Sequence, residues 1–304
     1  MDNPPLLLLG TRGSPLALAQ ARMTAAALEA AHGWAPGTVA LNVIKTSGDR
    51  IQDRALAEVG GKALWTKELD RALIDGETHA SVHSMKDVES ERPDALVIAA
   101  MLPRADVRDR LIGVEEIDAL PHGALVGTSS PRRAAQLRRL RPDLRIGLLR
   151  GNVDTRLAKV ASGDFAASLL AAAGLDRLGK TVGVAVATDV MLPAPAQGAV
   201  GIECRADDAA TRARLAAIDH RETHAAVAVE RAFTRALGGT CHSPVAALAL
   251  VAEEGFEFRA AIYSEDGADM VEERALLRDA GEAEALAGAM LARAPDSIRR
   301  LFEA

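Results

Sequence analysis

Five arginines, Arg132, Arg133, Arg150, Arg156 and Arg177, each follow a short turn rich in Gly, Ser or Thr. A guanidinium fork donates two parallel hydrogen bonds to an oxyanion and keeps its charge when partly dehydrated, so this placement points to a ligand carrying several carboxylates or phosphates. Thirty of the thirty-six basic residues are arginine. An Ala-rich, Lys-poor composition accounts for that total but not for its placement. At Thr128-Ser-Ser130, just before Pro131-Arg-Arg133, the spacing predicts unpaired N–H groups at a helix N-terminus, where the macrodipole favours an anion. The alternative is that Ser130 only caps the helix while the arginines point to solvent.

Asp87 ends Val82-His-Ser-Met-Lys-Asp87, an acid beside a base at the end of an expected strand. A lone Asp is most often an exposed loop carboxylate. Among arginines it would instead stay ionised and be the anion that stabilises a developing cation. Of the six lysines, Lys62 and Lys86 sit by glycine-rich or strand-end turns. Cys241 lies in Gly238-Gly-Thr-Cys-His-Ser-Pro244, a setting suited to a thiol displayed on a loop with His242 favouring the thiolate, although a small buried Cys is the commoner case. Cys204, within Gly201-Ile-Glu-Cys-Arg205, reads as core. His220 and His224 have helical spacing but no third ligand nearby, so no metal is expected.

These residues need elements to hold them. Leu6–Leu9 reads as a strand, and Pro15–Ala31 as a helix with Ser14 at its N-cap and Pro15 in its first position. Val39–Ile44 and Ala80–His83 read as strands, with a helix over Trp65–Ile74 before the second. The same grammar returns in the strand Ala124–Val126, the helix Pro131–Leu140 and the strand Arg145–Leu149, which ends in Arg150-Gly-Asn-Val-Asp-Thr-Arg156. Two α/β domains built this way would place their turns at the carboxyl ends of strands, facing a cleft. The run Ala199–Ile202, after Pro193-Ala-Pro195, is expected to cross back into the first sheet. From Arg221 the pattern becomes a long helix to Leu237, alternating strands Val245–Val251 and Phe256–Ile262, and a closing helix over Ala280–Arg293.

Composition narrows the function. A net charge of -6 argues against broad nucleic-acid binding, and 3% aromatic residues argue against a base-stacking surface. Leu6–Leu9 is too short to span a bilayer and lacks the flanks of a secretory signal. Two cysteines in unlike contexts form no disulfide framework, so a cytoplasmic protein is expected, with no membrane or nucleic-acid partner.

Eight segments together resemble the porphobilinogen deaminase family: Thr-Arg-Gly-Ser-Pro-Leu-Ala-Leu-Ala-Gln20, Lys-Thr-Ser-Gly-Asp49, Val-His-Ser-Met-Lys-Asp87, Gly-Thr-Ser-Ser-Pro-Arg-Arg133, Leu-Arg-Gly-Asn-Val-Asp-Thr-Arg156, Ala-Ala-Ala-Gly-Leu-Asp-Arg-Leu178, Gln-Gly-Ala-Val-Gly-Ile-Glu-Cys-Arg205 and Gly-Gly-Thr-Cys241. The resemblance implies two periplasmic-binding-protein-like (type II) α/β domains around a cleft, plus a small C-terminal α+β domain with an antiparallel sheet. The expected boundaries are 1–103 with 197–219, then 104–196, then 220–304. It implies a monomeric transferase of tetrapyrrole (heme) biosynthesis that condenses four porphobilinogen molecules into hydroxymethylbilane with release of ammonia.

Carried over by position, Asp87 is the catalytic carboxylate that stabilises the azafulvenium cation, and Cys241 carries a dipyrromethane cofactor through a thioether. Arg12, Ser14, Lys86, Thr128, Ser129, Ser130, Arg132, Arg133, Arg150, Arg156 and Arg177 bind acidic side chains of cofactor and substrate, with Gln20, Gly151 and Gln197 as further members and Lys62 in a loop expected to move. The chain departs from the family pattern at Trp65, Ala196 and Thr240, and Val88-Glu-Ser-Glu-Arg-Pro93 lacks the usual Pro soon after the Asp. The rival reading is a non-catalytic two-domain anion-binding protein of the solute-binding type. A phosphate-transferring enzyme would need a Walker loop or a Mg²⁺ carboxylate pair, and neither is found.

Overall fold

A computed structural model describes residues 5–46, 66–240 and 243–302. β1 (Leu7–Arg12) leads through a short corner into α1 (Pro15–His32). The Ser14 hydroxyl accepts a hydrogen bond from the Ala17 N–H, Pro15 stands where no N–H is needed, and Gly33 closes the helix at φ 65°. Then come β2 (Val39–Ile44), α2 (Lys67–Ile74), β3 (Ala80–Ser84), a single 3₁₀ turn over Met85–Asp87, and β4 (Leu96–Met101).

The middle of the chain holds β5 (Asp109–Ile112), β6 (Leu125–Gly127), α3 (Pro131–Leu140), β7 (Arg145–Gly147), α4 (Val153–Ala161), β8 (Ala167–Ala171), α5 (Ala172–Arg177) and β9 (Val184–Ala185). After it follow β10 (Val200–Arg205), α6 (Ala209–Leu215), α7 (Arg221–Ala236), β11 (Val245–Ala252), β12 (Gly255–Tyr263), β13 (Met270–Leu277), α8 (Ala280–Arg293) and α9 (Asp296–Arg299).

The described residues form two compact units. The first takes those up to Ala105 and Ala199–His224, and the second takes Asp106–Gly198 and those from Ala225 onward. In the first unit one sheet has the order β2-β1-β3-β10-β4. β1 runs parallel to β2 and β3, while β10 runs antiparallel to both β3 and β4. The Ala199–Ile202 run thus enters this sheet, as its apolar character predicts. Leu7, Leu9, Ala80, Val82, Val200 and Ile202 form the sheet's share of the core beneath Ala21, Ala25 and Leu28 of α1. Cys204 is fully buried there, and burial pushes its thiol up to about 11, which suits a packing residue.

In the second unit a sheet of order β7-β6-β8-β5-β9 repeats the design. β6 is parallel to β7 and β8, and β5 is antiparallel to β8 and β9. The same unit holds the antiparallel meander β11-β12-β13. One face of the meander, with Ala247, Phe258 and Ile262, packs on Phe233 of α7 and on Ala287 and Met290 of α8. Alternate residues Ala246, Leu248, Ala261 and Tyr263 face the other way, onto Ala135 of α3 and Leu192. The two-residue period of the strands thus buries both faces of β11 through its first half.

Candidate functional site

In the first unit the carboxyl ends of β1 and β3 and the start of α1 open onto a pocket. Among the described residues it is lined by Arg12, Ser14, Gln20, Thr66, His83, Ser84 and Asp87 together with apolar neighbours. Gln20 is buried, and its side-chain amide exchanges hydrogen bonds of 2.8 and 3.0 Å with the Ser84 hydroxyl, which ties α1 to the end of the strand that delivers Asp87. Asp87 closes a 3₁₀ turn whose Met85 N–H donates to Ala199 O (3.1 Å) and whose Val88 N–H donates to Met85 O (3.2 Å). Its side chain is half-buried and makes no hydrogen bond or ion pair among the described residues. Lys86 is in the same turn, half-buried. The structure thus brings Arg12, Ser14, Gln20 and Asp87 together at one pocket and places Lys86 beside them.

Behind the pocket lies a charged cluster that the sequence did not announce. Glu203 of β10 is fully buried. Arg92 clamps it from the side, with Nε donating to Oε1 and Nη2 to Oε2, both at 2.8 Å, while His83 Nε2 stands 3.3 Å from Oε2. Burial opposes the charge on Glu203, but His83 and Arg92 outweigh it and pull its pKa down to about 2. Nearby Asp70 is shifted the other way, because burial outweighs its hydrogen bond from Arg92.

In the second unit the turn after β6 carries Thr128, Ser129 and Ser130. Ser130 caps α3 by accepting from the Arg133 N–H (3.4 Å), and the Thr128 hydroxyl accepts from the Ser130 N–H (3.1 Å). Arg132 and Arg133 meet a partner other than the expected ligand. Both are buried against Asp109, the first residue of β5, donating to its two oxygens at 2.8 and 2.7 Å. Arg132 also donates to Leu192 O and Arg133 to Leu169 O. Neither points to solvent, so the capping half of the bland alternative occurs without its other half. Gln197, fully buried, donates to Asp109 Oδ1 (2.9 Å) and Val107 O (2.7 Å) and so belongs to the same cluster. Burial opposes ionisation of Asp109, but the two guanidiniums prevail and hold its carboxyl far below the usual carboxylate range.

Other arginines keep donors in reserve. Arg150, half-buried after β7, has a buried Nη1 without a partner among the described residues. Arg177, the last residue of α5, donates through Nη2 to Gly198 O (2.7 Å), while its buried Nε has no partner among them. Burial lowers its pKa below the usual arginine value. Gly151 has φ 105°, a conformation that only glycine adopts without strain, and an added Cβ would lie 2.8 Å from a Thr155 methyl carbon. Arg156 Nε donates to Gly151 O (2.9 Å) and fixes this turn at the head of α4. Lys62 and Cys241 lie outside the described residues.

Sequence reasoning missed Asp109, His83, Arg92 and Glu203. Asp109 sits in the charged string Asp106-Val-Arg-Asp-Arg110 and Arg92 in Glu89-Ser-Glu-Arg92, and both strings look like solvated loops. The available signal was Glu203 itself, a carboxylate within an otherwise apolar strand, which has to find a cation if it is buried.

The strand order, repeated in both units with one strand running against its neighbours, defines a protein with the type II periplasmic-binding-protein-like topology, here with Ser- and Thr-bearing turns at strand ends and a carboxylate that has no partner among the described residues. The family profile described as "Porphobilinogen deaminase, dipyromethane cofactor binding domain" matches residues 7–213, and "Porphobilinogen deaminase, C-terminal domain" matches residues 224–293. The chain belongs to the porphobilinogen deaminase family. It is 60% identical to the porphobilinogen deaminase of Sphingopyxis alaskensis over 99% of this chain and 97% of that one. Against the enzyme of Paracoccus denitrificans it is 49% identical over 89% and 87%. Among solved structures, the methionine binding protein MetQ matches 72% of this chain and 91% of its own at 13% identity, with a TM-score of 0.45. The reading as a non-catalytic anion-binding protein is not favoured by these relatives.

Two stability predictions follow from the buried clusters. Asp109→Asn removes the charge that balances Arg132 and Arg133, and is expected to cost about 3–5 kcal/mol in denaturant unfolding; a change under about 1 kcal/mol would contradict the assignment. Glu203, with its folded pKa below an unfolded value of about 4.3, contributes stability that is present above that value and lost as pH falls toward 2. Thermal melts between pH 5 and pH 2 should show a shallower acid decline for Glu203→Gln than for the wild type.

Proposed function

We propose that this chain carries out the reaction of its family, condensing four porphobilinogen molecules into hydroxymethylbilane with release of ammonia, and that Asp87 is its catalytic carboxylate. The observation that carries the assignment is an ionisable oxygen pair with no partner among the described residues, at the mouth of a pocket shared with Arg12, Ser14 and Gln20. Loss of ammonia from the aminomethyl group leaves a cation on the substrate pyrrole. A fixed carboxylate stabilises that charge more than it stabilises the neutral ground state, which lowers the barrier. The same oxygens accept hydrogen bonds from pyrrole N–H groups and orient the ring.

The residues present fit a dipyrromethane. Its acetate and propionate groups are carboxylates, and the buried donors Arg150 Nη1 and Arg177 Nε lack a partner among the described residues. Arg150, Gly151, Arg156 and Arg177, with Thr128, Ser129 and Ser130, would hold such groups in the second unit, and Arg12, Ser14, Gln20 and Lys86 in the first. Gln197, Arg132 and Arg133 contribute by fixing the turn before α3. The cofactor would be attached to Cys241, and when bound it supplies the nucleophilic pyrrole carbon that primes the chain.

We read the protein as a cytoplasmic monomer that needs no metal. No helix among the described residues is long and apolar enough to cross a membrane. We read three domains, at 1–103 with 197–219, 104–196 and 220–304, because each of the three sheets has its own apolar cluster.

Asp87→Asn is expected to keep cooperative unfolding and to lower steady-state formation of hydroxymethylbilane at least about 100-fold, within the range for losing one transition-state charge contact. Turnover within a few fold of wild type would refute the role. Intact mass should show a dipyrrole-sized increment on the wild type and none on Cys241→Ser. An unmodified mass in active wild type would remove the thioether.

A further inference from the structure

Arg92 does not line the pocket, yet it gathers the chain on both sides of Asp87. A guanidinium has five N–H donors, and each of Arg92's finds an oxygen. Nε and one Nη2 hydrogen go to Glu203, and the other Nη2 hydrogen goes to Asp70 of α2. Nη1 donates to Glu89 Oε2 (3.2 Å) and Thr66 Oγ1 (3.3 Å), and the Thr66 hydroxyl itself donates to Glu89 (2.9 Å). The Arg92 side chain is only 9% exposed and the Glu203 side chain not at all, so each depends on its ion partners to stay charged: Glu203 on Arg92 and His83, and Arg92 on Glu203, Asp70 and Glu89.

The connections run to Asp87 from two directions. Glu89 follows Asp87 by two residues, and its tie to Arg92 and Thr66 pins the segment leaving the 3₁₀ turn against the start of α2. Upstream, Glu203 pairs in register with Ser81 of β3, and its carboxylate meets His83, the residue before Ser84 and the turn. Thr66, His83 and Val88 all reach the pocket wall. Beneath the turn, Met85 is buried against Gly201 of β10, where an added Cβ would come within 2.1 Å of the Met85 sulfur. The turn therefore sits directly on the strand that Arg92 clamps.

We infer that Arg92 is a positioning residue for the proposed catalytic carboxylate, fixing the Asp87 turn through the Glu203–His83 contact on one side and Glu89 on the other. This inference rests on the proposed role of Asp87.

The test measures steady-state kinetics of hydroxymethylbilane formation from porphobilinogen for the cofactor-loaded wild type, Arg92→Met, Arg92→Lys and Asp87→Asn, with cofactor loading checked by intact mass and folding by circular dichroism. A misplaced carboxylate loses transition-state contact while substrate still binds, so kcat should fall roughly 10- to 100-fold in Arg92→Met with KM within about threefold. Arg92→Lys, which keeps the charge but has three donors, should recover part of kcat. Wild-type kcat in folded Arg92→Met, or a loss confined to KM, overturns the inference. If Arg92→Met does not fold, Arg92→Lys decides: reduced kcat at unchanged KM supports it and wild-type kcat overturns it. A wild type that forms no hydroxymethylbilane, or an Asp87→Asn that keeps full turnover, removes the catalytic reading and this inference with it. An active wild type, an inactive Asp87→Asn and fully active Arg92 variants remove the inference alone.

Discussion

Each α/β unit depends on a buried carboxylate kept ionised by arginine, and in both units it lies on the strand that runs against its neighbours. Glu203 occupies β10 in the first sheet, and Asp109 begins β5 in the second. Both strands stand fourth in their sheet order. Taking a carboxylate out of water costs several kcal/mol, and a guanidinium with two aligned N–H groups recovers that cost only in the correct geometry. The strand, once in place, thus demands a particular arginine, and the arginine arrives from the segment beside the functional turn. Arg132 and Arg133 are in the first turn of α3, just after Thr128–Ser130, while Arg92 lies five residues beyond Asp87. Formation of the core and alignment of the turn are in this way the same event.

This constraint divides the arginines into two populations that composition cannot separate. Arg132, Arg133 and Arg92 have their terminal nitrogens committed to internal oxygens, although the buried Nε of Arg132 and of Arg133 has no partner among the described residues. Arg150 and Arg177 are partly buried yet retain a donor atom without a partner among the described residues. A buried N–H without an acceptor costs on the order of 1–3 kcal/mol, so such donors are tolerated where a ligand supplies the missing oxygen.

Much of the framework was legible because local chemistry and tertiary placement agree. The helix over Pro131–Leu140 has its Ser cap and first-position Pro, and Val39–Ile44 is apolar enough to read as a strand on its own. β12 shows a two-residue alternation in Phe256-Glu-Phe-Arg259, and β11 reads as a strand through its continuous apolar run. Where the two disagree the sequence misleads. Met270–Leu277 carries Glu272, Glu273 and Arg274 in mid-strand, since β13 lies at the sheet's edge, and nothing in that string announces a strand. Asp109–Ile112 opens with an acid and a base and resembles a loop, although Asp109 is 1% exposed. Its partners are 23 and 24 residues away, a separation that no periodic pattern records. Within the site, Asp87 and the Gly, Ser and Thr turns stood out because their chemistry is local. The clamps stayed hidden because, although Glu203 stands out among its apolar strand neighbours, nothing in the sequence says which distant arginine meets it.

Asp87 and the Arg92 cluster lie in the same part of the first unit, yet they are set apart. The first unit places three carboxylates, Asp70, Glu89 and Glu203, around Arg92, and Arg92 does not line the pocket that Asp87 shares with Arg12. A carboxylate already paired with a fixed guanidinium has part of its field neutralised and stabilises a developing cation less. The acids behind the pocket commit Arg92 to the interior, so the charge at Glu203 bears on Asp87 through the placement of its turn and not through a direct pairing.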